Sequence, residues 1–168
     1  MIFLDAKPNK AHLKLAEMEQ AGKLSAIVTQ NIDGLHQAAG SKNVFELHGS
    51  VHRNYCQKCG KFFDVNYVVN AKGVPYCDEC GGIIKPDVVL YEEGLDSQTI
   101  NGAVRAISKA DMLIIGGTSL VVYPAAGMID YFKGKYLAVL NRDATSRDKQ
   151  ADLCITDPIG EVLGRIRV

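Results

Sequence analysis

Four of the five cysteines fall into two close pairs, and this spacing constrains the fold more than any other feature. The sequence reads Cys56-Gln-Lys-Cys59 and then, after 17 further residues, Cys77-Asp-Glu-Cys80. Two C-x2-C turns predict a four-thiolate zinc site, because each turn points two sulfurs at one ion. Four protein ligands close the coordination shell, so we predict a structural zinc. The odd cysteine count with paired spacing argues against a secreted disulfide scaffold.

Residues 52–86, which contain these pairs, differ from the rest of the chain. They are polar, rich in Cys and Gly, and lack an apolar period, so we expect no core of their own. We therefore predict a zinc-binding module at 52–86, held together by its metal and inserted into a larger domain made of 1–51 and 87–168.

A zinc ribbon that binds nucleic acid is an alternative interpretation of this module. Its basic residues are Arg53, Lys58, Lys61 and Lys72, but acidic residues dilute any basic face, namely Asp64, Asp78 and Glu79. The whole chain has 19 basic and 19 acidic residues, which gives no bulk attraction to nucleic acid or to an anionic membrane. We expect neither as a partner.

Outside the module, short apolar runs alternate with amphipathic stretches. The runs at 24–29, 112–115, 136–140 and 153–156 predict strands, and helices are predicted at 9–21, 97–109, 124–133 and from about 159. Leu13 belongs to the apolar face of the first helix, His12 is expected in solvent, and Ser97 is a candidate N-cap. This alternation predicts an α/β fold, with a parallel sheet covered by helices on both faces.

Polar clusters follow three of these strands, at the edge where open parallel sheets bind ligands. They are Gln30-Asn31-Ile32-Asp33-Gly34, Gly116-Gly117-Thr118-Ser119 and Asn141-Arg142-Asp143. Each cluster alone is also what an ordinary loop contains. Together their amide, hydroxyl and glycine groups favour a site for ribose, carboxamide and phosphate, and therefore a nucleotide.

His48 lies in Glu46-Leu47-His48-Gly49, directly before the module. A histidine has a near-neutral pKa that suits a general base, although a lone histidine is more often structural. His36 and His52 are weaker candidates for the same role.

These motifs, in this order, resemble the sirtuin family of Sir2-type NAD-dependent protein deacetylases and deacylases. The matching segments are Thr29-Gln-Asn-Ile-Asp-Gly-Leu-His36, Glu46-Leu-His-Gly49, the cysteine pairs, Lys85-Pro-Asp-Val-Val-Leu-Tyr91, Gly117-Thr-Ser-Leu-Val-Val-Tyr-Pro-Ala-Ala126 and Leu140-Asn-Arg142. The resemblance implies a Rossmann-like sheet with a zinc-ribbon insert. It also implies that acyl-lysine is deacylated as NAD loses nicotinamide, yielding O-acyl-ADP-ribose and free lysine.

The resemblance further implies roles for single residues. His48 would be the general base acting on the ribose hydroxyls, and Gln30 and Asn31 would position the nicotinamide ribose, which makes Asn31 a second catalytic candidate. Ile32 and Asp33 would hold the nicotinamide carboxamide. The phosphate and adenosine side of NAD would contact Gly117, Thr118, Ser119, Asn141 and Ile159.

An acyl-lysine protein or peptide is the partner that this resemblance implies. It would run between the segments 88–91 and 121–123, with Val88, Val89, Tyr91 and Val122 as contacts, and would add to them as a strand. Each segment could equally be an ordinary core strand.

Two features depart from the family pattern. The sequence contains neither the Gly-Ala-Gly-x-Ser loop with which sirtuins open nor their Gly-Ile-Pro-Asp-Phe-Arg segment. We therefore expect the first βα unit to be missing, and expect this chain to bind NAD weakly and turn over little. Glu92 stands where many sirtuins carry Gly, so the positions of Glu92 and Glu93 relative to a peptide are open.

The remaining predictions concern location and competing functions. No apolar run approaches the roughly 20 residues of a membrane span, and the first residues do not resemble a signal peptide, so we predict a cytoplasmic protein. The alternative to an enzyme is a catalytically inactive fragment that contains zinc and binds a peptide or partner.

Overall fold

The computed structural model describes residues 4–168, which form five α-helices and eight strands. The helices are α1 (Lys10–Gln20), α2 (Leu35–Ala38), α3 (Val65–Val69), α4 (Ser97–Lys109) and α5 (Ile159–Gly164). The strands are β1 (Ile27–Thr29), β2 (Val44–Glu46), β3 (Gly49–Cys56), β4 (Phe62–Phe63), β5 (Ile84–Val88), β6 (Met112–Gly116), β7 (Tyr136–Leu140) and β8 (Leu153–Ile155). Two 3-10 helices cover Ala125–Tyr131 and Asp148–Gln150.

The parallel strands confirm the α/β class but do not form one continuous sheet among the described residues. β1 pairs with β2, starting with Ile27 opposite Val44, while β6, β7 and β8 form a separate three-stranded sheet. In that sheet β7 is central, and Gly116 at the end of β6 lies opposite Leu140. The predicted parallel sheet is therefore present in two parts, and no ladder of hydrogen bonds joins them among the described residues.

Helices cover both faces of β7, as the unbroken apolar pattern of that strand predicts. On one face Ala138 and Leu140 pack against α1 and α5, through Ala11 and Leu163. On the other face Leu137 and Val139 pack with Ile115 and with side chains of the Ala125–Tyr131 3-10 helix and its C-cap, Phe132.

Several predicted boundaries and environments need correction. The first strand starts at Ile27 rather than Leu24, because the Lys23 and Leu24 N–H groups still donate to the Met18 carbonyl at the end of α1. The N-cap of α4 is Asp96 rather than Ser97, since the Asp96 carboxylate accepts from the Thr99 N–H at 2.7 Å. The helix predicted at 124–133 is a 3-10 helix over Ala125–Tyr131, with Gly127 N–H donating three residues back to Pro124.

Helix α1 buries a narrower face than predicted. Only Ala11 and Ala16 are fully buried, and Leu13 is 54% exposed. His12 is not in open solvent, because its ring lies 4.7 Å from the ring of His36 between centroids. Helical periodicity places these residues on a face, but the neighbouring elements, α2 and α5 among them, decide which of them are covered.

The cysteine-containing part is built on an antiparallel sheet in the order β4-β3-β5. This sheet extends from Gly49 to Val88, slightly beyond the module predicted at 52–86. The expected lack of a core was wrong, since Cys56, Phe63, Cys77 and Ile84 form a small buried cluster. Two of these four side chains, Cys56 and Cys77, are predicted zinc ligands, so the packing of the cluster depends on whether the thiols bind a metal. In the described part of the chain, no helix has the length and apolar character needed to cross a membrane.

Candidate active site and metal centre

The four paired cysteines converge on one point. Their sulfur atoms all lie within 4.8 Å of one another, with Cys56 Sγ 3.4 Å from Cys80 Sγ and Cys59 Sγ 3.7 Å from Cys77 Sγ. A tetrahedral zinc with bonds of about 2.3 Å separates its sulfurs by roughly 3.8 Å, so the donor set fits this ion. Cys154 is exposed and lies outside the cluster. The four thiols are thus the residues that can hold the zinc.

The backbone around these thiols favours one thiolate before any metal arrives. Burial alone raises the pKa of the Cys56 thiol, but the N–H groups of Cys59 and Lys58, with the neighbouring thiols, lower it to about 6. For Cys59 the Lys61 N–H lowers the pKa, whereas hydrogen bonds with the other thiols raise it to about 12. Since zinc binds thiolates, loading the site must release protons from the remaining thiols.

A glycine and a lysine support the metal centre. A Cβ on Gly82 would lie 2.7 Å from Cys56 Sγ, so no other residue fits there without displacing a ligand. Lys61 donates to Asp78 at 2.7 Å and to Glu79 at 2.8 Å, which links the two cysteine turns. These contacts raise the pKa of Lys61 above its usual range.

Three strand ends that are far apart in sequence meet through hydrogen bonds. The Thr118 hydroxyl donates to Gln30 Oε1 at 3.3 Å, and the Thr118 N–H donates to Asn141 Oδ1 at 3.1 Å. These residues follow β6, β1 and β7 respectively. The polar clusters predicted to share one sheet edge therefore do come together, even though β1 and β6 are not paired.

His48 is held beside this network by its backbone and by one ring nitrogen. Its Nδ1 lies 3.1 Å from the Gln30 carbonyl oxygen, and its own carbonyl accepts from the Val89 N–H at 3.1 Å. A carbonyl oxygen can only accept, so Nδ1 carries the proton. In the neutral ring with this tautomer the other nitrogen, Nε2, is the acceptor, which is the form that a general base requires.

Hydrogen bonds within the loop, from α2 and from β3 hold the loop after β1 in place. Asn31 Nδ2 donates to Asp33 Oδ2 at 3.3 Å, and the other Asp33 oxygen accepts from the Leu35 N–H at the start of α2. His52 Nε2 donates to the Asp33 carbonyl at 2.9 Å, and the Ile32 carbonyl accepts from the Val51 N–H. The half-buried Asp33 carboxylate is thus fixed in place.

The loop after β6 offers backbone groups rather than charge. Gly117 has a φ of +61°, a conformation that favours glycine, while Ser119 is exposed. Gly116 faces Ile159, where an added Cβ would come within 2.4 Å of Ile159 Cδ1. The end of β6 therefore packs closely against Ile159 at the start of α5.

The two segments predicted to bind peptide are largely exposed. Tyr91 is 100% exposed and Val122 is 48% exposed, whereas Val88 and Val89 are half-buried. Val88, the last residue of β5, still pairs with Gly49 of β3, and beyond Val88 the chain leaves the sheet. Exposed apolar side chains that border a polar site mark an interaction surface more often than a core.

Comparison with known proteins agrees with this arrangement. The Sir2 family profile matches residues 1–124. An NAD-dependent protein deacetylase of Clostridium acetobutylicum is 67% identical over 164 residues, covering 97% of this chain and 67% of that protein. A protein of the same name from Staphylococcus aureus is 45% identical over 163 residues, covering 97% of this chain and 67% of that protein.

The chain belongs to the Sir2 family. Among solved structures, a Sir2 protein with a p53 peptide and NAD+ superposes with a TM-score of 0.89 at 41% identity, over 96% of this chain and 70% of that one. A Sir2 complex with 2′-O-acetyl-ADP-ribose and a deacetylated p53 peptide gives 0.89 at 42% identity, over 96% and 71%. This chain therefore spans about two thirds of the length of the relatives it matches.

Two interactions in this Sir2-family chain were not recognised in the sequence. Arg53 bridges Glu46, at 2.6 Å, and Asp87, at 2.8 Å, and so ties the antiparallel sheet to β2. Arg53 and Lys61 are both engaged by acids, which further weakens the interpretation of a basic nucleic-acid face. His36 packs on His12 and has a buried Nδ1 without a hydrogen-bond partner among the described residues. No spacing rule could have found either, because the partners lie on different elements.

Proposed function

We propose that this chain catalyses NAD-dependent removal of acyl groups, including acetyl groups, from lysine side chains of proteins. The observation that carries the proposal is the geometry at His48, whose Nδ1 lies 3.1 Å from the Gln30 carbonyl beside the Gln30–Thr118–Asn141 network, while Nε2 has no hydrogen-bond partner among the described residues. The NAD-dependent protein deacetylases to which the chain is up to 67% identical support the same reaction. The fold alone would not be enough to assign this reaction, since one fold supports many reactions.

The polar groups of the network are suited to NAD. Gln30 and Asn31 offer amides for the nicotinamide ribose, and Ile32 and Asp33 offer a backbone and a carboxylate for the carboxamide. The remaining contacts come from the other two strand ends and α5, namely Gly117, Thr118, Ser119, Asn141 and Ile159. When bound, NAD supplies the ADP-ribose that accepts the acyl group as nicotinamide leaves.

His48 acts as the general base in this proposal. Nε2 takes a proton from a ribose hydroxyl, while Nδ1 keeps its own proton, donates it as a hydrogen bond to the Gln30 carbonyl and so fixes the orientation of the ring. Asn31, which is held by Asp33, is proposed to orient the same ribose. A positioned general base typically contributes about 10²–10⁴-fold to the rate.

The acyl-lysine partner is proposed to lie against Val88, Val89, Tyr91 and Val122. These side chains are apolar and suit the methylene groups of a lysine. The Val89 N–H donates a hydrogen bond to the His48 carbonyl, so a peptide on this segment lies next to the base.

We also propose that the zinc is structural and that 52–86 forms a module separate from the NAD-binding part, 1–51 and 87–168. A reducing compartment suits the free thiols, since the described cysteines form no disulfide. We therefore propose a cytoplasmic location.

The reaction is tested by mass spectrometry on an acetyl-lysine peptide with and without NAD. We expect deacetylated peptide, nicotinamide and O-acetyl-ADP-ribose in equal amounts, and nothing without NAD. Deacetylation that proceeds without NAD would contradict the proposal.

A further inference from the structure

Glu92 directly follows the segment proposed to bind the acyl-lysine peptide and adopts a backbone conformation unusual for its residue type. Its φ is +72°, in the left-handed region that favours glycine. The Glu93 N–H donates to the Leu90 carbonyl at 3.1 Å, so Glu92 occupies the third position of a tight turn from Leu90 to Glu93. A positive φ at that position is what a type II turn requires, and glycine or asparagine usually supplies it.

Other groups already stabilise this turn, so Glu92 is not needed to hold it. The Glu93 carboxylate accepts from the Leu90 N–H at 2.9 Å and from Lys85 Nζ at 3.3 Å. The Leu90 N–H and then Lys85 lower the pKa of Glu93 against the effect of burial, which keeps it ionised. The structural role of an acid in this turn is therefore filled by Glu93.

Glu92 is also the one charge near the proposed peptide segments that lacks a partner among the described residues. Between 85 and 93, Lys85 pairs with Glu93, and Asp87 pairs with Arg53. Glu92 makes no hydrogen bond or ion pair in the part of the chain that the structure describes, and it is exposed. The other proposed peptide segment cannot neutralise it, since residues 121–123 contain no charged side chain.

We propose that Glu92 is a specificity determinant that favours acyl-lysine peptides with a basic side chain close to the modified lysine. This inference rests on the proposed function, since it assumes that the peptide lies along Val88–Tyr91. A peptide there brings its flanking residues within reach of Glu92, and a Lys or Arg would give it the partner that this chain does not supply. Acidic flanking residues would meet repulsion, which discriminates between substrates as well as attraction does.

The test compares three acetyl-lysine peptides that differ only in the residues flanking the modified lysine. Both flanking residues are Arg in the first peptide, Gln in the second and Glu in the third, and binding to the 168-residue chain is measured by fluorescence anisotropy. Binding is the readout because it does not depend on turnover. We expect the Arg peptide to bind about three to five times more tightly than the Gln peptide, as for an exposed ion pair, and the Glu peptide to bind more weakly.

Two variants and a control assign the preference to Glu92. Glu92→Gln keeps the shape and removes the charge, and Glu92→Gly keeps the turn and removes the side chain. Both should bind all three peptides equally, while Glu161→Gln, which removes an exposed acid on α5, should keep the preference of the unmodified chain. High salt should also abolish the preference, since it screens exposed charges.

The outcomes separate this inference from the proposed function. An unchanged preference for the Arg peptide in Glu92→Gln, or no preference in the unmodified chain, would overturn the role of Glu92 alone. Failure of the unmodified chain to bind any of the three peptides would overturn the proposed peptide site and the role of Glu92 with it.

Discussion

The proposed zinc module and the proposed NAD-binding part bring their candidate site residues together by different means. In the module, each cysteine turn holds two ligands three positions apart, so local backbone geometry places half of the site at once. In the NAD-binding part, Thr118 and Gln30 are 88 positions apart and meet only because β1 and β6 end near each other. A local site can be recognised from its spacing, whereas a site assembled from strand ends requires the topology.

The two parts also differ in what stabilises them. The buried cluster of the module includes the predicted zinc ligands Cys56 and Cys77, so the packing of the module depends on metal binding. The clusters on the two faces of β7 consist of apolar side chains and contain none of the predicted zinc ligands. Losing the metal should therefore damage one part much more than the other.

The largest expected effect comes from removing two zinc ligands at once, in Cys77→Ser/Cys80→Ser. Metal analysis after exhaustive dialysis should find about one zinc per unmodified chain and none in the variant, because two remaining thiolates cannot complete the site. Structural zinc binding is worth about 10–16 kcal/mol in zinc-finger peptides, so the module should unfold. Hydrogen exchange should become fast in β3 and β5 and stay slow in β7.

Cys154→Ser is the matched control for the ligand variants and should keep full zinc content, since Cys154 is exposed and outside the cluster. Full zinc content in the double variant, or equal loss of exchange protection in β3 and β7, would contradict the claim that the metal stabilises the module and not the sheet around β7.

A smaller effect is expected from Gly82→Ala, which adds one methyl group beside the metal. That carbon would lie 2.7 Å from Cys56 Sγ, and overpacking of this kind costs about 1–3 kcal/mol. Chelator competition should show zinc affinity about tenfold lower. Gly94→Ala is the control, because nothing lies within 4 Å of the added carbon there, and it should bind zinc as tightly as the unmodified chain. Equal affinities in both variants would refute the close fit.

The proposed NAD-binding part is probed by Thr118→Val, which nearly preserves the shape but removes the hydroxyl that donates to Gln30 and accepts from the Leu120 N–H. Each lost hydrogen bond is worth about 1 kcal/mol, and losing the one that orients Gln30 should lower NAD affinity roughly fivefold in titration calorimetry. Zinc content should not change. Unaltered NAD binding would mean that the Thr118–Gln30 contact does not organise the nucleotide site.

The smallest effect concerns His12 and His36. Burial lowers the pKa of both rings, and the mutual repulsion of their charges lowers that of His36 further. The unfolded chain then binds protons more readily than the folded chain, so the free energy of unfolding should be highest above pH 6.5 and fall as the pH drops below it. Urea unfolding at pH 7.5, 6.5 and 5.5 measures this loss.

His12→Gln sharpens the pH experiment, because glutamine can keep the capping contact at the start of α1 but does not titrate. Zinc release also lowers stability in acid, so the quantity to compare is the difference between variant and unmodified chain at each pH. The variant should lose less stability on acidification. Parallel curves would show that the histidine pair contributes nothing to the pH dependence.

Much of this fold could be predicted from the sequence where a local pattern decides the structure. The apolar run 136–140 is β7, and the run 112–115 lies within β6, because buried parallel strands need continuous apolar sequence. The four-thiol cluster could also be predicted, because the spacing of each cysteine pair is a local pattern. The division into two groups of parallel strands could not be predicted, since it depends on which backbones pair across the molecule.

The candidate site shows the same limit. The sequence identifies Gln30, Thr118, Asn141 and His48 by type and position, but the tautomer of His48 follows only from its distance to the Gln30 carbonyl. The Arg53 bridge between Glu46 and Asp87 was missed because its residues lie on three strands. Contacts between elements are set by packing, which periodicity does not encode.

The most direct test of the account is the rate of NAD-dependent deacetylation by His48→Ala, measured in single turnover on an acetyl-lysine peptide. We predict a rate about 10²–10⁴-fold below that of the unmodified chain, since Nε2 of His48 is the proposed base. Zinc content and melting temperature should not change, which excludes unfolding as the cause. A rate within about threefold of the unmodified chain would contradict the role of His48 and the mechanism built on it.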